Sequence, residues 1–94
     1  MYLHLGQNAV VPESTVVGIF DMDNATSSYL TREYLSRAEK DGTVINVGED
    51  LPKSFIVCRD GGKTKVYLSQ LNSATLLKRC ENLQYGISGF TGKN

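Results

Sequence analysis

The chain has 94 residues, 40% of them hydrophobic and 21% charged, and its ten basic and ten acidic side chains cancel. That length fits one domain with one modest core, burying roughly 60 to 65% of the unfolded surface. No apolar run approaches the ~20 residues that cross a bilayer, and the start Met1-Tyr-Leu-His-Leu-Gly6 has neither the basic flank nor the apolar core of a signal peptide, so the expectation is a soluble cytoplasmic protein with no membrane partner.

The charge is unevenly spread. Residues 1–50 carry three basic against eight acidic groups, and residues 51–94 seven against two. Such a split gives either one anion-attracting face or two complementary faces that join copies, unless the two halves interleave in one sheet.

Tyr2 to Gly6 alternates, with Leu3 and Leu5 on one face and Tyr2 and His4 on the other, which predicts a short strand stopped by Gly6. His4 has no second histidine or cysteine at ligand spacing and reads as a strand residue on the wetter face. Ala9-Val-Val11 predicts a second short strand closed by Pro12. Thr15-Val-Val-Gly-Ile-Phe-Asp21 has apolar groups at odd and even positions, so the expectation is a central strand buried on both faces. Between Asn24 and Gly42, Leu30, Tyr34, Leu35 and Ala38 recur at the spacing of one helical face. Ser27 or Ser28 is the expected N-cap and Gly42 the left-handed stop, and Glu33 stands four residues before Arg37 in the favourable order.

Thr43 to Val47 predicts a strand, and Gly48 to Pro52 a loop. Ser54 to Arg59 and Thr64 to Ser69 are two β-rich runs joined by Asp60-Gly-Gly-Lys63, whose glycines reach the positive φ of a tight hairpin. Arg59, Lys63 and Lys65 make its tip basic. Cys58, among Phe55, Ile56 and Val57, predicts a buried inert thiol; with Cys80 it forms no CxxC pair, as expected in a reducing compartment. Ser73 is the expected cap of a second helix burying Leu76, Leu77, Cys80 and Leu83, with Lys78, Arg79 and Glu81 outside. The domain is expected to span residues 1–84, followed by a flexible Gly-rich tail over 85–94 in which Ile87 and Phe90 are candidate anchors to a partner.

An apolar strand ending in Asp21-Met-Asp23 is similar to the first motif of haloacid-dehalogenase-type phosphatases, with Asp21 as nucleophile, Asp23 as acid-base and Glu49-Asp50 as a later magnesium pair. Ala25 stands where that motif has Thr or Val, and the doubly wound parallel sheet it requires needs more chain. Turn formation and helix capping account better for Asp21, Asp23 and Asn24, so no enzyme, metal or cofactor is expected.

Four blocks in order, Tyr2-Leu-His-Leu-Gly6, Val16-Val-Gly-Ile-Phe-Asp21, Leu51-Pro-Lys-Ser-Phe55 and Leu76-Leu-Lys-Arg79, resemble the RemA/RemB family of bacterial extracellular-matrix regulators, more closely its RemB branch. The resemblance covers about residues 1 to 83 and rests on the order and spacing of all four. It implies a LytTR-like α+β protein that closes into rings, binds and bends promoter DNA, and activates biofilm-matrix genes. It also implies DNA contacts from an arginine in the turn before the third strand and from an arginine pair in the loop before the hairpin. Thr15 and Leu51-Pro52 hold those places here, with Lys53 the nearest cation, while Arg32 matches a basic position.

The expected fold is a single α+β domain with an antiparallel or mixed sheet of about five strands and two helices. The expected function is a homo-oligomeric, ring-forming regulator that binds the phosphate backbone of double-stranded DNA through Lys53, Arg32, Arg37, Arg59, Lys63 and Lys65. The alternative is a structural partner of a DNA-binding paralogue, without DNA contact of its own.

Overall fold

The computed structural model describes residues 1–25, 29–48 and 50–83. The Ser27 and Ser28 caps, Glu49 and the 85–94 tail lie outside the described residues. In chain order come β1 (Tyr2–Gly6), β2 (Ala9–Pro12), a 3-10 turn (Glu13–Thr15), β3 (Val16–Asp21), the one-turn α1 (Met22–Ala25), α2 (Tyr29–Lys40), β4 (Val44–Asn46), β5 (Ser54–Asp60), β6 (Lys63–Ser69) and α3 (Ser73–Leu83).

The α+β class holds, but the sheet of about five strands is instead two sheets: a β1-β2 ribbon and a four-stranded mixed sheet in the order β3-β5-β6-β4. All pairs are antiparallel except β4 with β6. The strand expected at the centre, β3, is therefore an edge strand, and the hairpin strands β5 and β6 occupy the middle. Its apolar residues on both faces do not mean burial on both faces. The register slips between Val16 and Gly18, which leaves Val17 bulged out and 66% exposed.

The hairpin forms as read. Asp60 pairs with Lys63, and Gly61 and Gly62 hold φ of 60° and 85°, two consecutive positive values that match the twist of the flanking strands. Its side chains alternate between two packed layers. On one face Ile56 and Cys58 join Leu3, Leu5, Val11 and Leu76, so the ribbon and α3 cover this side. On the other, Phe55 and Val66 pack on Ala38, with Leu35, Val44, Val57 and Leu68 around them, so α2 covers that side. Burying side chains of this size contributes roughly 1.5–3 kcal/mol each.

The hairpin base is also tied by hydroxyls. Ser54 and Ser69 face each other across β5 and β6, and both are fully buried. The Ser69 Oγ donates to the Leu5 carbonyl at 2.6 Å and accepts from the Leu71 N–H at 3.0 Å, while the Ser54 Oγ donates to the Leu71 carbonyl at 2.7 Å. These bonds fasten the ribbon and the chain leading into α3 to the central sheet, and they satisfy groups that would otherwise be costly to bury.

The helices depart from expectation at particular residues. Gly42, at φ 73°, ends α2 as predicted: Thr43 N–H bonds the Ala38 carbonyl at 3.0 Å and Gly42 N–H the Glu39 carbonyl at 3.1 Å, the paired bonds of a Schellman stop. Leu30 and Tyr34, however, are exposed, because of that stripe only Leu35 and Ala38 pack into the core on the sheet. The cap of α3 is Asn72 and not Ser73, its Oδ1 accepting from the Thr75 N–H at 2.8 Å. Leu77 is exposed, and Arg79 lies partly buried over β1, where its Nη1 donates to the His4 carbonyl at 2.9 Å. Among the described residues no helix is long and apolar enough to cross a membrane.

Candidate nucleic-acid interface

The six cations do not form one patch. Because alternate residues of the hairpin face opposite ways, Lys63 and Lys65 lie on the ribbon side with Cys58, Asp60 and Tyr67, whereas Arg59 lies on the α2 side with Phe55 and Val57. Lys53 is at the other end of the hairpin: its N–H bonds the Ser69 carbonyl at 2.8 Å and its carbonyl receives the Met22 N–H at 2.9 Å. Six residue steps along β5 separate that end from the tip, or ~20 Å. Arg32 and Arg37 are exposed on α2, where they share an open surface with Tyr29, Glu33, Ser36 and Lys40.

What the fold does bring together is a cleft of about 140 Å³ between the ribbon and the hairpin tip, lined by Val11, Pro12, Thr15, Cys58, Asp60, Lys63, Lys65 and Tyr67. The sequence builds it simply. Pro12 ends β2 and leads into the 3-10 turn, the Glu13 N–H is held by the Met1 carbonyl at 2.9 Å, and the Thr15 Oγ1 donates to the Pro12 carbonyl at 2.7 Å. The turn thus delivers Thr15 beside the strand positions that carry Cys58 and Lys65, which pair across β5 and β6.

The floor of the cleft is unreactive. Burial pushes the Cys58 thiol above its ordinary value, with a hydrogen bond to the Thr15 side chain acting in the opposite direction. Burial also raises the Tyr67 phenol, helped by the neighbouring Cys58. Both groups stay neutral at physiological pH, so the charge at the rim is that of two lysines against Asp60. Two flexible ammonium groups, a hydroxyl and little depth suit a single phosphoryl group held as a point charge, not a base read by shape.

Asp21 closes the edge strand β3 and Asp23 sits in the first turn of α1. The strand that ends in Asp21 pairs antiparallel with β5, unlike the parallel sheet of the phosphatase motif. Among the described residues no three His, Cys, Asp or Glu side chains gather as a metal-binding group. His4 turns its Nε2 to the Gln7 carbonyl at 2.9 Å and serves the ribbon turn, where Gln7 has a φ of 49°.

A family model described as "Extracellular matrix regulatory protein A-like", or RemA-like, matches residues 2–80. The chain belongs to this family. It is also 38% identical to Extracellular matrix regulatory protein B of Bacillus subtilis (strain 168) over 81 residues, which span 86% of this chain and 91% of that protein. The family resemblance and its lean toward the RemB branch are thereby established, and all six candidate cations lie inside the matched span. In this RemA-like chain the cleft places Lys63 and Lys65 next to Thr15. Asp60, Tyr67 and Cys58 were not among the sequence-derived site residues. The two-residue period of the hairpin would have placed all three on the face of Lys63 and Lys65.

Proposed function

We propose that this RemA-like matrix regulator acts in the cytoplasm as a homo-oligomeric, ring-forming DNA binder without catalytic activity, and that the hairpin-tip cleft receives a backbone phosphate. One observation carries the reading: Lys63 and Lys65 stand beside Thr15, so cationic charge is supplied from the adjacent hairpin at a place where the resemblance implies an arginine. A single lysine pair binds duplex weakly, since backbone affinity grows with the number of counterions released. A closed assembly repeats the pair once per subunit, and avidity over one bent duplex multiplies the effect. Lys53, Arg32, Arg37 and Arg59 then act as outlying charges, positioned on other faces and engaged only where the DNA path passes them.

Fluorescence anisotropy with a labelled duplex at low salt tests this. The expected result is saturable binding that weakens steeply with salt and is lost in the Lys63→Glu/Lys65→Glu variant. A flat titration of the wild type at low salt contradicts it.

The second reading, a structural partner of a DNA-binding paralogue, draws on a different observation: Asp60 lines the same cleft and the formal net charge is zero. Co-purification with such a paralogue, together with the absence of duplex binding by the isolated chain, is its expected signature.

A further inference from the structure

Beneath one flank of α2 the described side chains leave a trench. This depression of about 330 Å³ lies between the helix and the sheet, and its apolar lining is Leu35 of α2, Val44 of β4, Leu68 of β6 and Met22 of α1. All four are only half-buried, although they pack against the buried Ala38, Phe55 and Val66 of this layer. Small-molecule sites run from ~300 to ~1,000 Å³ and are mostly apolar with a few convergent polar groups, and this trench has that build at the lower end of the range. Met22 supplies an unbranched side chain that adapts to what lies against it.

The polar groups of the rim are ordered along the helix. Arg32, Ser36 and Glu39 line the trench. Arg32 and Ser36 also border the open surface that carries Arg37 and Lys40, so the apolar trench and the cationic face meet along one row of the helix. Arg32 stands near the start of α2, whose first turn holds no carboxylate, at the positive end of the helix dipole. Glu39 lies seven residues further on, ~10 Å along the axis. The one carboxylate of the cationic surface, Glu33, accepts from the Tyr29 hydroxyl at 3.3 Å. A negative group is therefore favoured at the Arg32 end of the trench and repelled at the Glu39 end, while an apolar body is favoured between them.

We propose that the trench binds a free aliphatic carboxylate of medium chain length, with its tail against Leu35, Val44, Leu68 and Met22 and its head on Arg32, beside the Ser36 hydroxyl. A guanidinium suits such a head because it meets a carboxylate through two parallel hydrogen bonds. The ~10 Å between the two charged positions of the rim matches an extended chain of about eight carbons. The site lies on the α2 side of the sheet, away from Lys63 and Lys65 on the ribbon side, so it goes beyond the DNA reading and does not depend on it.

Nuclear magnetic resonance titrations of the isotope-labelled full chain with monomeric octanoate, octanol and octylammonium test the site, because the three probes share one tail and differ in the charge of the head. The expected result is saturable one-to-one binding of octanoate, with amide shifts centred on residues 32–39, 44 and 68. Octanol should bind at least about fivefold more weakly, as fits the loss of a charge-assisted hydrogen bond, and octylammonium more weakly still. Arg32→Gln, at an exposed position, should weaken octanoate about tenfold, and Glu39→Gln should strengthen it about twofold by removing a screened like charge. Ser36→Trp, also at an exposed position, should fill the trench from its rim and abolish binding. Octanol or octylammonium binding as tightly as octanoate overturns the carboxylate. Wild-type shifts centred away from the trench, or an octanoate affinity that Arg32→Gln and Ser36→Trp leave unchanged, overturn the site. A wild type that takes up no monomeric octanoate, whether or not it binds vesicles of anionic lipid, overturns the free ligand. None of these outcomes alters the expected binding of duplex at the hairpin tip.

Discussion

The base and the tip of the β5-β6 hairpin are built from the same two strands yet have opposite properties. At the base, Ser54, Phe55 and Ser69 are buried and each is committed to another element: the serines to the ribbon and the α3 lead-in, Phe55 to Phe20 and α2. At the tip, Arg59 to Lys63 are exposed, the strands turn through two glycines, and Lys63 and Lys65 border a cleft. The base holds the fold, so its side chains cannot be spared for a ligand; the tip contributes little to the core, so it can carry charge without unfolding the protein.

Truncation at the base should break this contrast most severely. Phe55→Ala removes the ring at the centre of the α2-side core and is expected to cost about 3–5 kcal/mol, measured by urea unfolding. Ser69→Ala strands the Leu71 N–H and deprives the Leu5 carbonyl of its donor, for an expected loss of about 1–3 kcal/mol. The same urea measurement serves, and ribbon amides should lose protection first.

At the tip the expected effects are smaller. Gly62→Ala forces a side chain to a φ of 85°, at a cost on the order of 1 kcal/mol. Lys63→Ala and Lys65→Ala should change stability by no more than about 0.5 kcal/mol. A tip variant as damaging as Phe55→Ala would erase the distinction between the two ends.

The cleft floor adds a pH dependence with a definite sign. Cys58 and Tyr67 have folded-state values raised above their unfolded ones. Their contribution is thus fully present below the unfolded values and is lost as pH rises through the folded ones. Stability should be insensitive to these two groups at neutral pH and fall on the alkaline side, above about pH 8.5. Cys58→Ser should flatten the first part of that decline in a series of thermal melts.

How much of this was legible in the sequence depended on whether the signal was local. The hairpin was, because Gly61-Gly62 between two alternating runs leaves few alternatives, and so was the Gly42 stop. The burial of β3 was misread because apolar residues on both faces also arise where a bulge turns Val17 outward and Phe20 lies along its own strand over Gly18. Leu30 and Tyr34 match the helical period of Leu35 and Ala38, but period cannot reveal how much of a helix the sheet is wide enough to cover. Asn72 and Ser73 are adjacent and chemically equivalent as caps, so only geometry separates them. The buried Ser54 and Ser69 had no local signal at all, since Ser69 meets a carbonyl 64 residues away. For the candidate interface, the cations were legible as residues and their division among faces was not. The cleft depends on Thr15 arriving beside the hairpin, which is a matter of topology.

Whether the tip and not the base meets DNA is decided by the salt dependence of duplex affinity in Lys63→Ala/Lys65→Ala compared with Lys53→Ala. Each phosphate contact contributes about 0.9 to the slope of log affinity against log salt. The tip variant is expected to lose about 1.8 from that slope per subunit engaged, with Lys53→Ala close to wild type. A slope unchanged in the tip variant, or reduced equally by Lys53→Ala, would contradict it.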